Sequence, residues 1–183
     1  LSVITPYFLP FTQKELIQHY QSLAHSTSLP ILLYNIPGRT GVNLEPSTVK
    51  ELSEIPNIVG IKDSSGDFEL MRQYMDVTDS SFSCMAGSDA LILKTLLAGG
   101  QGAVSGTANV LTDLIMSLYQ NWEQGNLDEA TRIQDSLKPI LDIYDKHTLP
   151  TVLKEGLNMM GIPAGISRLP VSPLNKEEKE ELY

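Results

Sequence analysis

The sequence predicts a parallel α/β fold, and three observations predict it. Five short apolar runs occupy 1–8, 30–37, 57–64, 82–88 and 102–109. Each is mostly apolar rather than alternating, the pattern of parallel strands that face packed neighbours on both sides. Segments with helical spacing separate them. The run starts lie 29 residues apart at first and 20 at the end, close to the length of one strand–helix unit. Five strands leave two architectures open, a doubly wound sheet and a (β/α)₈ barrel.

The elements follow in order. Thr12 and Glu15 form a capping-box pair that opens a helix running to about His25. Apolar residues recur at helical spacing over 46–54 and 68–77, and 90–98 is a compact apolar helix. Gly99, Gly100 and Gly102 do not match a dinucleotide-binding fingerprint, because the spacing is wrong and they precede a strand, so they predict a tight turn. After 109 the strands stop. Helices are predicted over 110–122, 127–147 and 151–160, with a turn at Gly125-Asn126. Pro139 should kink or break the middle one. The charged tail NKEEKEEL is predicted to be a short solvated helix. We divide the chain into 1–122, the C-terminal part of a strand–helix array, and 123–183, a helical region.

Composition narrows the function. The chain has 183 residues, 42% of them hydrophobic, and a formal charge of −9. An acidic surface argues against a nucleic-acid partner. No apolar run approaches the roughly 18 residues of a membrane span. A single cysteine, Cys84, excludes a disulfide scaffold and fits a reducing, cytoplasmic setting. The chain opens inside an apolar run without an initiator Met or a basic leader. We therefore read it as the C-terminal part of a longer chain.

Three residues stand out chemically. Lys62 follows Ile58-Val59-Gly60-Ile61 directly, at the carboxyl end of a predicted strand, where barrel active sites lie. A lysine in a partly apolar pocket loses amine basicity, and its free amine condenses with ketones. Elsewhere a strand-end lysine simply reaches solvent. Tyr34 sits at the equivalent place in the preceding run, 28 residues earlier, so the two belong on neighbouring strands, with Tyr34 as a proton shuttle or a plain core aromatic. Arg39 sits between Gly38 and Gly41 in the next loop, where a guanidinium can clamp a carboxylate. Gly87, Val104, Ser105 and Gly106 can supply groups around a small ligand. No G-x-S-x-G elbow is present. The histidines are His19, His25 and His147, without H-E-x-x-H or a Cys pair, so metal-assisted aldol chemistry finds no ligands in this sequence.

YNIPGRTG at 34–41, IKDSSGD at 61–67, AGSD at 86–89 and GAVSGTAN at 102–109 together resemble the dihydrodipicolinate synthase/N-acetylneuraminate lyase family. VITPYF at 3–8 and VLKEGLNMMG at 152–161 extend the resemblance over nearly the whole chain. The resemblance implies a (β/α)₈ TIM barrel, with the five strands as its strands four to eight, followed by a helical region. It implies a pyruvate-dependent class I aldolase that needs no cofactor. Lys62 would carry the Schiff base, Tyr34 relay protons, Val104 contact pyruvate through its backbone, and Arg39 hold the second substrate's carboxylate. Tyr7 falls near the lysine-effector site of the synthase branch. Phe8 stands where that branch has a proton-relaying tyrosine from a neighbouring subunit.

The resemblance thus implies condensation of pyruvate with aspartate semialdehyde in lysine biosynthesis, and a cytoplasmic homo-oligomer, a tetramer of dimers. Phe8 favours instead a 2-keto-3-deoxy sugar acid aldolase or an N-acetylneuraminate lyase-like enzyme. A reading from another class is a non-catalytic barrel that binds a keto acid without turning it over.

Overall fold

The computed structural model describes residues 1–182. It divides into two compact units, one spanning Leu1–Val104 and one beginning at Ser105.

The first unit holds one five-stranded parallel sheet whose spatial order is its sequence order. The strands are β1 (Ser2–Ile4), β2 (Ile31–Asn35), β3 (Ile58–Asp63), β4 (Ser83–Ala86) and β5 (Gly102–Ala103). Helix α1 (Gln13–Ser26) joins β1 to β2. A single turn, α2 (Pro37–Thr40), and then α3 (Pro46–Ser53) join β2 to β3. Helix α4 (Phe68–Val77) leads to β4, and a 3₁₀ turn at Asp89–Leu91 followed by α5 (Ile92–Leu97) leads to β5.

Local chemistry sets these ends. The predicted capping box is present: Thr12 Oγ1 accepts from the Glu15 N–H, and Glu15 Oε2 accepts from the Thr12 N–H at 2.8 Å. Asp67 caps α4 by accepting from the Glu69 and Leu70 N–H groups. The strands are shorter than their apolar runs. β1 ends before Pro6, which has no N–H to donate. The last run leaves the sheet after Ala103 and winds into a 3₁₀ turn at Thr107–Asn109.

The helices cover one face of the sheet. Leu16 and Tyr20 of α1, Val49 and Leu52 of α3, and Met71 and Tyr74 of α4 form one core with Ile31, Leu33, Ile61 and Cys84 of the strands. The Tyr20 hydroxyl, inside this core, donates to the Val3 carbonyl at 3.0 Å. Within this unit the opposite face stays half-open: Leu32 and Tyr34 alternate with fully buried neighbours along β2. The apolar runs had predicted burial on both faces.

Parallel pairing sets which side chains share a face. Ile31 pairs with Ile58, but Leu32 pairs with Gly60, so Val59 is an extra residue on β3. Ile58 therefore faces the helices, and after the bulge so do Ile61 and Asp63. Without the bulge, period-two alternation from Ile58 would have carried Lys62 to the helix side. With it, Lys62 pairs with Tyr34 on the open face.

The second unit is helical. It comprises α6 (Thr112–Glu123), α7 (Leu127–Ser136), α8 (Lys138–Lys146), α9 (Thr151–Met159) and α10 (Lys176–Leu182). The predicted long helix is broken: α7 ends before Leu137, and Pro139 stands in the first turn of α8. Ile115 and Leu118 of α6 are buried, as are Ala130 and Ile133 of α7, which packs on α6. The tail helix α10 is docked, not merely solvated. Leu182 packs on Ile143, Tyr144 and Val152, while Lys146 pairs with Glu181 and Lys179 with Glu155. None of these helices is long and apolar enough to cross a membrane.

Gly60 of β3 sits where β4 leaves no room for a side chain. A Cβ there would overlap the Ser83 carbonyl oxygen and lie 2.9 Å from Leu32 Cδ1. Backbone cannot yield as a flexible side chain does, so Gly60→Ala is expected to destabilise the fold by about 1–3 kcal/mol. Urea unfolding of the variant checks this, and wild-type stability would contradict it.

Candidate active site

The site begins with Tyr34 and Lys62. They are register partners on β2 and β3, one residue before each strand ends. Both side chains are half-buried on the open face. Lys62 Nζ lies 3.9 Å from the centre of the Tyr34 ring. The amine thus rests on the negative face of the ring and not on its hydroxyl. The Tyr34 hydroxyl has no hydrogen-bond partner among the described residues.

Gly87, just past β4, lets the lysine take this position. A Cβ on Gly87 would overlap Ser64 Oγ and come within 3.0 Å of Lys62 Cε. Its N–H donates to the Asp63 carbonyl at 2.7 Å, which holds the β4 end against the segment carrying Lys62. Ser64 Oγ is buried beside it without a hydrogen-bond partner among the described residues.

The other sequence-predicted residues are placed as follows. Arg39 lies on α2, which is a turn of helix rather than an open loop, with Pro37 at its start and Gly41 left-handed at its end. Its side chain is exposed and forms no ion pair among the described residues. Val104 is half-exposed, and its N–H donates to the Ala86 carbonyl at 2.8 Å, continuing the β4–β5 ladder. Ser105 belongs to the second unit, where its Oγ accepts from the Ala108 N–H at 3.0 Å. Tyr7 and Phe8 are exposed after β1, Phe8 at 93% and with φ of 79°. That backbone region is costly for a residue bearing a Cβ.

Behind the site, on the helix side, lies a buried polar group that the sequence reading did not single out. Asn35 and Asp63 are register partners one step beyond Tyr34 and Lys62. Asn35 Nδ2 donates to Asp63 Oδ1 at 2.8 Å. It also reaches Asn43 Oδ1 at 2.8 Å and the Tyr74 hydroxyl at 3.2 Å, and Asn35 Oδ1 accepts from the Leu44 N–H at 3.0 Å. Ser65 Oγ donates to Asp63 Oδ2 at 2.6 Å. Burial pushes the Asp63 carboxyl above its ordinary range, and the hydrogen bonds from Ser65 and Asn35 oppose that shift only in part. The signal available in sequence was only that a polar residue follows each of Tyr34 and Lys62. Cys84 offers no rival nucleophile, since burial raises its thiol to about 11. No cluster of three or more His, Cys, Asp or Glu side chains suited to a metal occurs among the described residues.

Comparison with known proteins places the chain in a family. The model of the dihydrodipicolinate synthetase family matches residues 1–183. The chain belongs to that family. It is 37% identical over 180 residues to the 4-hydroxy-tetrahydrodipicolinate synthase of Oceanobacillus iheyensis, covering 98% of this chain and 61% of that one. The synthase of Archaeoglobus fulgidus is 36% identical, with 98% and 62% covered. The chain thus spans about three fifths of the length of these relatives. Among solved structures, dihydrodipicolinate synthase from Bacillus anthracis superposes with a TM-score of 0.94 at 34% identity, over 99% of this chain and 62% of that one. A dihydrodipicolinate synthase variant described as monomeric gives 0.94 at 33% identity, over 99% and 62%. The α/β fold is that of the (β/α)₈ barrels of this family.

Two outcomes follow from the geometry. Gly87→Ala should displace Ser64 and the end of β3, because its Cβ would overlap Ser64 Oγ and lie 2.8 Å from the Asp63 carbonyl oxygen. A crystal structure of the variant is expected to show that shift, and an unmoved Ser64 and Asp63 backbone would contradict the steric account. The second concerns pH. Because burial raises the Asp63 pKa in the folded chain, the folded state holds that proton more tightly than the unfolded one. This group's contribution to stability is fully present below the ordinary carboxylate pKa and is lost as pH rises through the raised folded value. Asp63→Asn cannot ionise, so its stability should gain on wild type as pH rises across that window. Urea unfolding at acidic and neutral pH checks the sign, and a pH-independent difference would contradict it.

Proposed function

We propose that the protein is a Schiff-base lyase of the 4-hydroxy-tetrahydrodipicolinate synthase type, which condenses pyruvate with aspartate semialdehyde. The observation that carries this reading is the Lys62 amine seated on the Tyr34 ring, at the carboxyl ends of adjacent parallel strands. The names of the family relatives support the choice of substrates.

The chemistry then runs as follows. The free amine of Lys62 adds to the pyruvate ketone. The carbinolamine loses water, leaving an iminium in place of the carbonyl. The iminium withdraws electrons, so a methyl proton leaves and an enamine forms. The enamine carbon attacks the semialdehyde carbonyl, whose oxygen takes up a proton, and hydrolysis frees the amine. Tyr34, its hydroxyl unengaged, accepts and returns these protons. Arg39, exposed and unpaired, takes the semialdehyde's carboxylate in a two-pronged contact. Backbone groups at Val104 and Gly87 border the keto acid. We take a homo-oligomer as the working assembly.

Phe8 favours a second reading, a 2-keto-3-deoxy sugar acid aldolase, because phenylalanine cannot relay a proton. Turnover separates the two. Full-length protein is expected to form the condensation product from pyruvate and aspartate semialdehyde. Lys62→Ala should abolish that turnover, and Arg39→Ala should raise KM for the semialdehyde about tenfold or more. No turnover of the semialdehyde, with cleavage of a 2-keto-3-deoxy acid instead, would overturn the first reading in favour of the second.

A further inference from the structure

We propose that Asn35 and Asp63 are positioning residues for this site, aiming Lys62 and anchoring the Arg39 segment from the opposite face of the sheet. The inference rests on the Schiff-base reading of Lys62 and goes beyond it.

The placement argues for this role. Each of the pair directly follows a residue of the site, Asn35 after Tyr34 and Asp63 after Lys62. Their hydrogen bond at 2.8 Å joins the register row next to the site. It lies four residues past the Val59 bulge and forms only in the shifted register that turns Lys62 to the open face. A slip of one residue would place Asn35 opposite Lys62 and undo the pairing of Asn35 with Asp63.

The pair also reaches outward in two directions. Through Asn35, both Asn43 and the Leu44 backbone are tied to β2, and these residues end the segment that contains Arg39. The Tyr74 hydroxyl closes this side by donating to the Leu44 carbonyl at 2.5 Å. Through Asp63, Ser65 is held, and Ser65 Oγ in turn accepts from the Asp67 N–H at 3.1 Å, at the cap of α4. Asn35 is 0% and Asp63 3% exposed, and no cation pairs with Asp63 among the described residues. A carboxylate buried in this way is costly unless its hydrogen bonds are in place. The arrangement therefore tolerates one geometry, which is what a lysine meeting a ketone at bonding distance requires.

The test is rapid-quench borohydride trapping of full-length protein at saturating pyruvate, with Asp63→Ala and Asp63→Asn beside wild type. Mispositioning lowers the rate constant of adduct formation at full amplitude, whereas loss of folded protein lowers the amplitude. Asp63→Ala is expected to slow the rate constant about tenfold or more at wild-type amplitude. Asp63→Asn keeps an acceptor for Asn35 and offers a donor to Ser65 Oγ, so it should recover the rate constant to within about threefold of wild type. An Asp63→Ala rate constant equal to wild type would overturn the proposal, whatever its amplitude, and so would an Asp63→Asn as slow as Asp63→Ala. Should Asp63→Ala yield no folded protein, Ser65→Ala decides. It is expected to be about threefold slower or more at full amplitude, and a wild-type rate constant overturns the proposal. A wild type that traps nothing sinks the Schiff-base reading itself, and that arm is read independently of the variants.

Discussion

Everything at the candidate site depends on one extra residue in β3. Parallel strands allow only two orientations for a side chain, and Lys62 would face the helices if β3 ran regularly from Ile58. The bulge at Val59 reverses the alternation once. From there Ile61 and Asp63 go to the core side, and Lys62 goes to the open side with Tyr34. Gly60 permits the local approach, because β4 passes too close there for any side chain. A small backbone irregularity thus decides whether the amine meets a ligand or the core.

The two faces of the sheet then divide the work. On the open face the Lys62 amine rests on the Tyr34 ring, and the Tyr34 hydroxyl has no hydrogen-bond partner among the described residues. On the helix face the polar groups are tied together, with Asn35 and Asp63 bonded to each other and to the segments that follow their strands. Placing the two sets one residue apart along the same two strands makes the connection between them short and stiff.

Much of this was legible in the sequence, for definite reasons. The capping box at Thr12, the break at Pro139 and the strand–helix repeat each follow from a local rule that tertiary contacts did not override. The 28-residue interval between Tyr34 and Lys62 put them on adjacent strands, and the pairing places them side by side. What escaped was set by contacts that sequence spacing does not encode. The bulge left one local mark, a glycine at position 60 inside the strand run, but Ile58, Val59 and Ile61 suit either face, so the register stayed open. Gly87 read as a source of backbone groups, yet its steric role depends on where Lys62 and Ser64 lie. Asn35 and Asp63 each looked like a polar residue at a strand end. The tail helix read as solvated because Leu182, its one apolar anchor on the core, is outnumbered by charges.

The central claim is that register delivers the Lys62 amine, and no other, to a keto acid. Peptide mapping after pyruvate and borohydride treatment tests it most directly. Reductive alkylation of Lys62 blocks tryptic cleavage there, so the account predicts one modified peptide running from Glu51 to Arg72. An adduct carried by a different lysine, or spread across several, would contradict it.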